Sequence, residues 1–194
     1  MLTENWKPKS TDKTTEAAQN VLAPPPPPSS WIAEINGKEY KVDETGKLTP
    51  ELDYQQVNTI TIKYQKPLKL EWILKCTNVT SLYLDDCDLI EAPDLSNLKN
   101  LQSLYLIGCN LQAPPKLEGL SKLVTLSLQF NPKLTQLPAN LNSCEQLHIL
   151  YVDKKLEKEA KKLNGPAEGQ LYIYARYENG SVNASQVPPK PIAH

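Results

Sequence analysis

Val57, Val79, Leu101 and Leu123 stand 22 residues apart, and Leu147 continues the series after a step of 24. Each opens an LxxLxL-like run. In that frame the fourth residue is Ile60, Leu82, Leu104, Leu126 and Leu150, and the sixth is Ile62, Leu84, Leu106, Leu128 and Val152. Apolar residues two apart mark one face of a strand. A unit of this length has too little apolar surface to form a core alone, so it must stack on its neighbours. The spacing therefore predicts a solenoid with one strand per unit. Such a scaffold presents a broad side-chain surface suited to another macromolecule.

The charge balance narrows the partners. With 21 basic and 22 acidic residues the net charge is −1, so no field steers the chain toward nucleic acid or an anionic membrane. No apolar stretch approaches the roughly 18 residues of a membrane span. The opening MLTENWKPKSTDKTTEAAQN lacks the apolar block of a signal peptide, and a cytoplasmic location is expected. With one Phe and one Met, the core must be built from Leu, Ile and Val. The four cysteines fall on interior repeat positions: Cys87 and Cys109 align with Asn131, and Cys76 and Cys144 align with Leu98 and Leu120. They are expected to be buried thiols rather than disulfides or metal ligands.

The flanks divide the chain further. Residues 1–30 are polar, end in Pro24 to Pro28 and two serines, and are expected to be a disordered tail. The proline run favours polyproline II, either as a spacer or as a ligand for a proline-recognition domain. Residues 31–56 are read as an N-terminal cap containing a hairpin about Asn36-Gly37, with a helical turn starting at Thr49-Pro50-Glu51-Leu52. Residues 57–152 hold the repeats, the first degenerate at Gln65, Pro67 and Leu68. Pro93, Pro114, Pro115 and Pro138 fall in the return segments and disfavour long helices there. Residues 153–182 are read as a C-terminal cap: a helix capped by Asp153, with a Glu157–Lys161 pair and Gly165 as its stop, then a strand or hairpin about Asn179-Gly180. Residues 183–194 are expected to be a disordered tail.

The run LxxLxLxxCxLxxAPxLxxLxxL, written twice between Val79 and Leu120, resembles the leucine-rich-repeat family in its short 22-residue form. LTQLPANL, in the last full unit, is similar to the bacterial type with its LP step. The resemblance covers residues 57–152. It implies an α/β solenoid: a right-handed parallel coil of about four to five repeats, with a β-hairpin cap before it and a helix/strand cap after it. The strands would line a concave face, and the Cys or Asn at the interior position would bond to the backbone of neighbouring coils. Gln65 in the first unit and the lack of such a residue after Val152 depart from that pattern. The function implied is protein–protein interaction by a non-enzymatic scaffold; the alternative is a bacterial effector secreted into a host cell without a cleavable signal and binding a host protein.

No catalytic constellation is visible. There are two histidines, His148 and the terminal His194, and neither a P-loop nor a GxGxxG motif occurs. Asp85, Asp86, Asp88 and Glu91 lack the spacing and central Gly of a calcium loop. No metal, cofactor or catalytic residue is expected. Between the inward leucines, outward positions read Thr61, Tyr83, Tyr105, Ser127 and Tyr151, then Lys63, Asp85, Ile107, Gln129 and Asp153. The strand ends read Tyr64, Asp86, Gly108, Phe130 and Lys154. Such rings pack across strands on any sheet face, but tyrosines beside an exposed Ile and the single Phe also have the composition of a binding hot spot. The candidate protein-binding residues are Lys63, Tyr64, Tyr83, Asp85, Asp86, Tyr105, Ile107, Gln129, Phe130 and Tyr151. A monomer binding a protein partner, without nucleic acid or a membrane span, is the expectation.

Overall fold

A computed structural model describes residues 30–64, 69–166 and 169–187. Gln65, Pro67, Leu68, the tail up to Ser29 with its proline run, and His194 lie outside these. Trp31 to Val42 form the expected hairpin: β1 (Ser30–Ile35) and β2 (Lys38–Asp43) pair antiparallel. Asn36 and Gly37 at its tip have φ of 49° and 75°, which suits the twist of a two-residue turn. The Asn36 side chain also ties the hairpin to the next segment, accepting from the N–H groups of Asn58 and Thr59. A two-residue strand, β3 (Leu48–Thr49), adds to β2. The helical turn expected at Thr49 is absent; the 3₁₀ turn comes later, at Tyr54–Gln56, where the Asp53 carboxylate accepts from Gln55 N–H.

Five repeat units then give one strand each: β4 (Thr59–Lys63), β5 (Ser81–Asp85), β6 (Ser103–Ile107), β7 (Thr125–Ser127) and β8 (Ile149–Asp153). They pair in parallel and in register, Ile60 to Leu82 to Leu104 to Leu126 to Leu150. These side chains are completely buried. Each unit leaves its strand through turns or a single 3₁₀ turn, as at Ile73–Lys75 and Leu141–Ser143, and the return leucines such as Leu98, Leu120 and Leu117 close the core from the other side. After β8 come α1 (Lys154–Ala160), β9 (Leu171–Arg176) and β10 (Val182–Val187). β9 continues the parallel series and β10 folds back on it.

The expected α/β solenoid is therefore corrected. The described residues make one ten-stranded mixed sheet, ordered β10-β9-β8-β7-β6-β5-β4-β1-β2-β3, with a single seven-residue α-helix. This is a strand-dominated sheet rather than a helix-flanked coil. Two causes are visible in the chain. Pro93, Pro114, Pro115 and Pro138 interrupt the return segments, which run as turns and short 3₁₀ turns. Antiparallel hairpins at both ends extend the parallel strands sideways, because Ile35 and Ala33 of β1 pair with Ile60 and Ile62 of β4. Order also reaches Val187, past the boundary set at residue 183, because β10 is held along its whole length by β9.

Inside the turn after each strand, one position bonds to the unit before it. The Cys87 thiol lies 3.4 Å from Ile62 O, and the Cys109 thiol 3.2 Å from Leu84 O. Asn131 does more: its Nδ2 donates to Leu106 O (2.7 Å), Leu128 O and Gln129 O, while its Oδ1 accepts from Leu111 N. Truncating it strands several buried backbone groups, each costing about 1–3 kcal/mol. We expect Asn131→Ala to lower unfolding free energy by about 3 kcal/mol in urea titration, and Cys109→Ala by about 1 kcal/mol.

At the other end of the repeats, Glu157 of α1 is buried, and its carboxylate takes hydrogen bonds from Lys154, Lys161 and Asn183. The bonds from Lys154 and then Lys161 pull its pKa from 4.5 to about 2. The folded chain thus binds this proton later than the unfolded one. The stabilisation is complete above about pH 4.5 and disappears as pH falls toward 2. Glu157→Gln should flatten the pH dependence of the melting temperature across that window; an unchanged slope would place the acid sensitivity elsewhere.

Candidate functional site

Alternation along each strand turns one residue set into the core and the other onto a single outward face. One row crosses the sheet as Glu34, Thr61, Tyr83, Tyr105, Ser127, Tyr151, Tyr174 and Ala184, each opposite the next. Tyr83 and Tyr105 stack with ring centroids 4.5 Å apart and planes 11° apart. Tyr151 and Tyr174 stack at 4.9 Å. Ser127 sits between the two pairs and is itself buried, although its side chain is on the outward set. Burial raises the Tyr105 phenol above the ordinary tyrosine range, with a smaller push from the phenols of Tyr83 and Tyr151.

The expected residues separate into three groups. Lys63, Tyr83, Asp85, Tyr105 and Ile107 come together with Glu34 and Thr61 around an open groove of about 330 Å³. Tyr64, Asp86, Gly108 and Phe130 form a row at the strand ends, all in the left-handed backbone region, with φ of 56°, 51°, 64° and 61°. The row is built by one repeated bond: Tyr64 N to Asp85 O, Asp86 N to Ile107 O, Gly108 N to Gln129 O. Gln129 is therefore a turn residue beyond the end of β7, bonded through its backbone, rather than a strand residue. Tyr151 belongs to the second stack, away from the groove.

Phe130 shows how the series ends. β8 still gives its Tyr151 carbonyl to Leu128 N, but at the next turn its Asp153 side chain takes the carbonyl's place, accepting from Phe130 N and Asn131 N at 3.2 Å each. Asp153 is also salt-bridged to Arg176 at 2.9 Å, and the Arg176 guanidinium lies 3.8 Å from the centre of the Phe130 ring. Asp153 precedes α1 as expected, but its side chain makes no capping bond, being committed to the preceding unit. The helix ends at Ala160, before Gly165. Glu34, Tyr174 and Arg176 went unassigned in the sequence reading. For Tyr174 and Arg176 the signal is the alternation of Tyr172, Tyr174 and Arg176 with Leu171, Ile173 and Ala175, which marks β9 as one more strand of the same face; Glu34 joins the row through its pairing with Thr61.

Exposed apolar side chains concentrate here. Of six large ones among the described residues, Ile32, Tyr64, Phe130, Tyr172 and Val182 lie on this face or its rim, and only Ile90 lies elsewhere. Tyr64 and Phe130 are 75% and 49% exposed. Among the described residues no group of three or more His, Cys, Asp or Glu is arranged to hold a metal ion, and no helix is long and apolar enough to cross a membrane. His148 Nδ1 bonds to the carbonyl of Gln146, two residues away. In comparisons with known proteins, no family model and no curated protein matches the chain.

All four cysteines are buried and none is in a disulfide. Burial pushes the thiols of Cys76 and Cys109 up to about 12 and that of Cys144 to about 11. Almost no thiolate exists at neutral pH, and a buried thiol is a poor nucleophile. Dithionitrobenzoate at pH 8 should label none of these three in the native chain and all of them in guanidinium. Fast stoichiometric labelling before unfolding would reveal a reactive cysteine that this structure does not account for.

Proposed function

We propose that this chain is a non-enzymatic protein-binding module whose partner docks on the tyrosine-bearing face of the sheet. The observation that carries the proposal is the gathering of five exposed apolar side chains and two tyrosine stacks on one face. The core takes the other side of every repeat strand, so apolar side chains left exposed on the strands fall on this face, and exposed apolar surface is where interaction sites are found. A second observation agrees. Tyr64 and Phe130 hold large side chains at left-handed positions where glycine is the easier residue, as Gly108 shows in the same row. Backbone strain of about 1–2 kcal/mol kept at exposed aromatics points to a use for those rings. The repeat's resemblance to leucine-rich repeats, a family of binding surfaces, leans in the same direction.

In this reading Tyr83 and Tyr105 form a rigid aromatic anchor, already stacked before binding, so little side-chain entropy is lost on contact. Phe130 is a second anchor, braced by Arg176 from one side. Lys63, Asp85 and Asp86 at the rim tune selectivity and association rate more than affinity. In quantitative affinity purification from the native source, Tyr83→Ala/Tyr105→Ala should lose the partner with at least a tenfold drop in recovery. Lys99→Ala/Lys122→Ala, on the return segments, should retain it. Equal recovery by both variants would remove the tyrosine face from the account.

A further inference from the structure

Independently of the partner proposed above, we infer that two copies of this chain join edge to edge through β10, antiparallel, about a two-fold axis at Ala184. β10 (Val182–Val187) closes one side of the sheet: β9 lies beside it, and no strand of the described residues lies beyond. The neighbouring bonds fix which of its backbone groups look outward. Tyr172 N donates to His148 O, toward β8, so Leu171, Ile173 and Ala175 are the β9 residues that turn their N–H and C=O groups to β10. Tyr177 N continues that set by donating to Ser181 O. Their partners are Val187, Ser185 and Asn183, so the backbone groups of Val182, Ala184 and Gln186 point away from β9. These residues are exposed, and a strand edge in this state is a template for another strand.

The two edges of the sheet are built differently. At the far side β3 is only two residues long, Pro50 follows it, and β2 beside it carries Lys38, Glu39 and Lys41. Short length, proline and charge are the usual guards against edge pairing. β10 has none of them: its residues are Val, Asn, Ala, Ser, Gln and Val. The same strand selects a second copy as its occupant. Copies lying antiparallel in one sheet are related by an axis perpendicular to it, so facing residues must point to the same side. An axis at Ala184 sets Ala184 against its own counterpart and Val182 against Gln186 of the second copy. Every outward residue then meets another outward residue, and each such pair exchanges both its N–H···O bonds. An axis at Asn183 or at Ser185 would leave Gln186 or Val182 facing a residue outside the strand. No charge opposes a like charge in the Ala184 register, and the small side chains on the axis let the backbones approach. One strand pair is a small interface, so the dimer is weak and follows concentration. Ala184 lies opposite Tyr174 on the tyrosine-bearing side, so the pairing also puts that face of both copies side by side.

The test follows the full chain by sedimentation and by amide hydrogen exchange in NMR, from about 20 μM to about 1 mM. Monomer should give way to dimer across that range, and exchange at the amides of Val182, Ala184 and Gln186 should slow by about tenfold or more. Ala184→Lys and Ala184→Glu should each be monomeric alone, because the axis sets like charges against each other, and should form a mixed dimer when combined in equal amounts. Melting curves of the two variants check that each is folded, and the exchange measurement on the unaltered chain depends on neither. A chain that stays monomeric throughout overturns the inference. So do edge amides already protected at the lowest concentration, which would mean that the chain covers its own edge. A dimer without protection at these amides places the contact elsewhere and overturns it too. Folded variants that remain dimeric alone, or that fail to pair when mixed, overturn the axis at Ala184. None of these results touches the Tyr83 and Tyr105 purification, which decides the role of the face separately.

Discussion

Everything in this molecule depends on one constraint: successive strands must pair in parallel with no slip. A shift of one residue would turn the leucines out and the tyrosines in, because side chains alternate with a period of two. The register is fixed twice over. Ile60, Leu82, Leu104, Leu126 and Leu150 fill one apolar row behind the sheet. Beside it, Cys87, Cys109 and Asn131 each reach the backbone of the preceding unit. The first device is strong and unspecific; the second is weaker but admits a single alignment. Together they set the tyrosine rows on the other face at a spacing that allows ring stacking.

The two ends of such a stack need different solutions. At the start, β1 covers β4 antiparallel and the Asn36 side chain satisfies backbone donors of the first unit. Toward the finish, the Asp153 side chain of β8 accepts from the turn of the unit before it, and Arg176 of β9 balances that charge while lying against Phe130. One acidic side chain thus links the closing of the core to the placement of an exposed aromatic. Structure and the proposed binding surface meet most closely at this point.

Much of this was legible in the primary structure, for reasons that can be named. The 22-residue recurrence fixed which residues face inward, and with it the Thr61-to-Tyr151 row and the four buried cysteines. Both Asn-Gly turns announced their hairpins. The fold class differs because the α/β coil was implied by the family resemblance, while the prolines and the hairpins, both visible in the sequence, were not combined into one sheet: β1 pairs with β4 and β9 with β8, which joins the end strands to the repeat strands. Asp153 was read as a helix cap because local pattern shows the nearest use of a carboxylate. Its partners lie 22 and 23 residues away. Glu34 is of the same kind, since its place on the face comes from pairing with Thr61 across strands.

The most direct measurement is a nuclear Overhauser spectrum of the chain carrying ring-protonated tyrosine and methyl-labelled leucine in a deuterated background. An unslipped sheet predicts ring-to-ring contacts for Tyr83 with Tyr105 and for Tyr151 with Tyr174, together with methyl contacts linking Leu82, Leu104, Leu126 and Leu150. Tyr83 ring contacts to the methyls of Leu104 or Leu106, in place of those to Tyr105, would mean that the strands pair one residue out of step, and the outward tyrosine face would not exist.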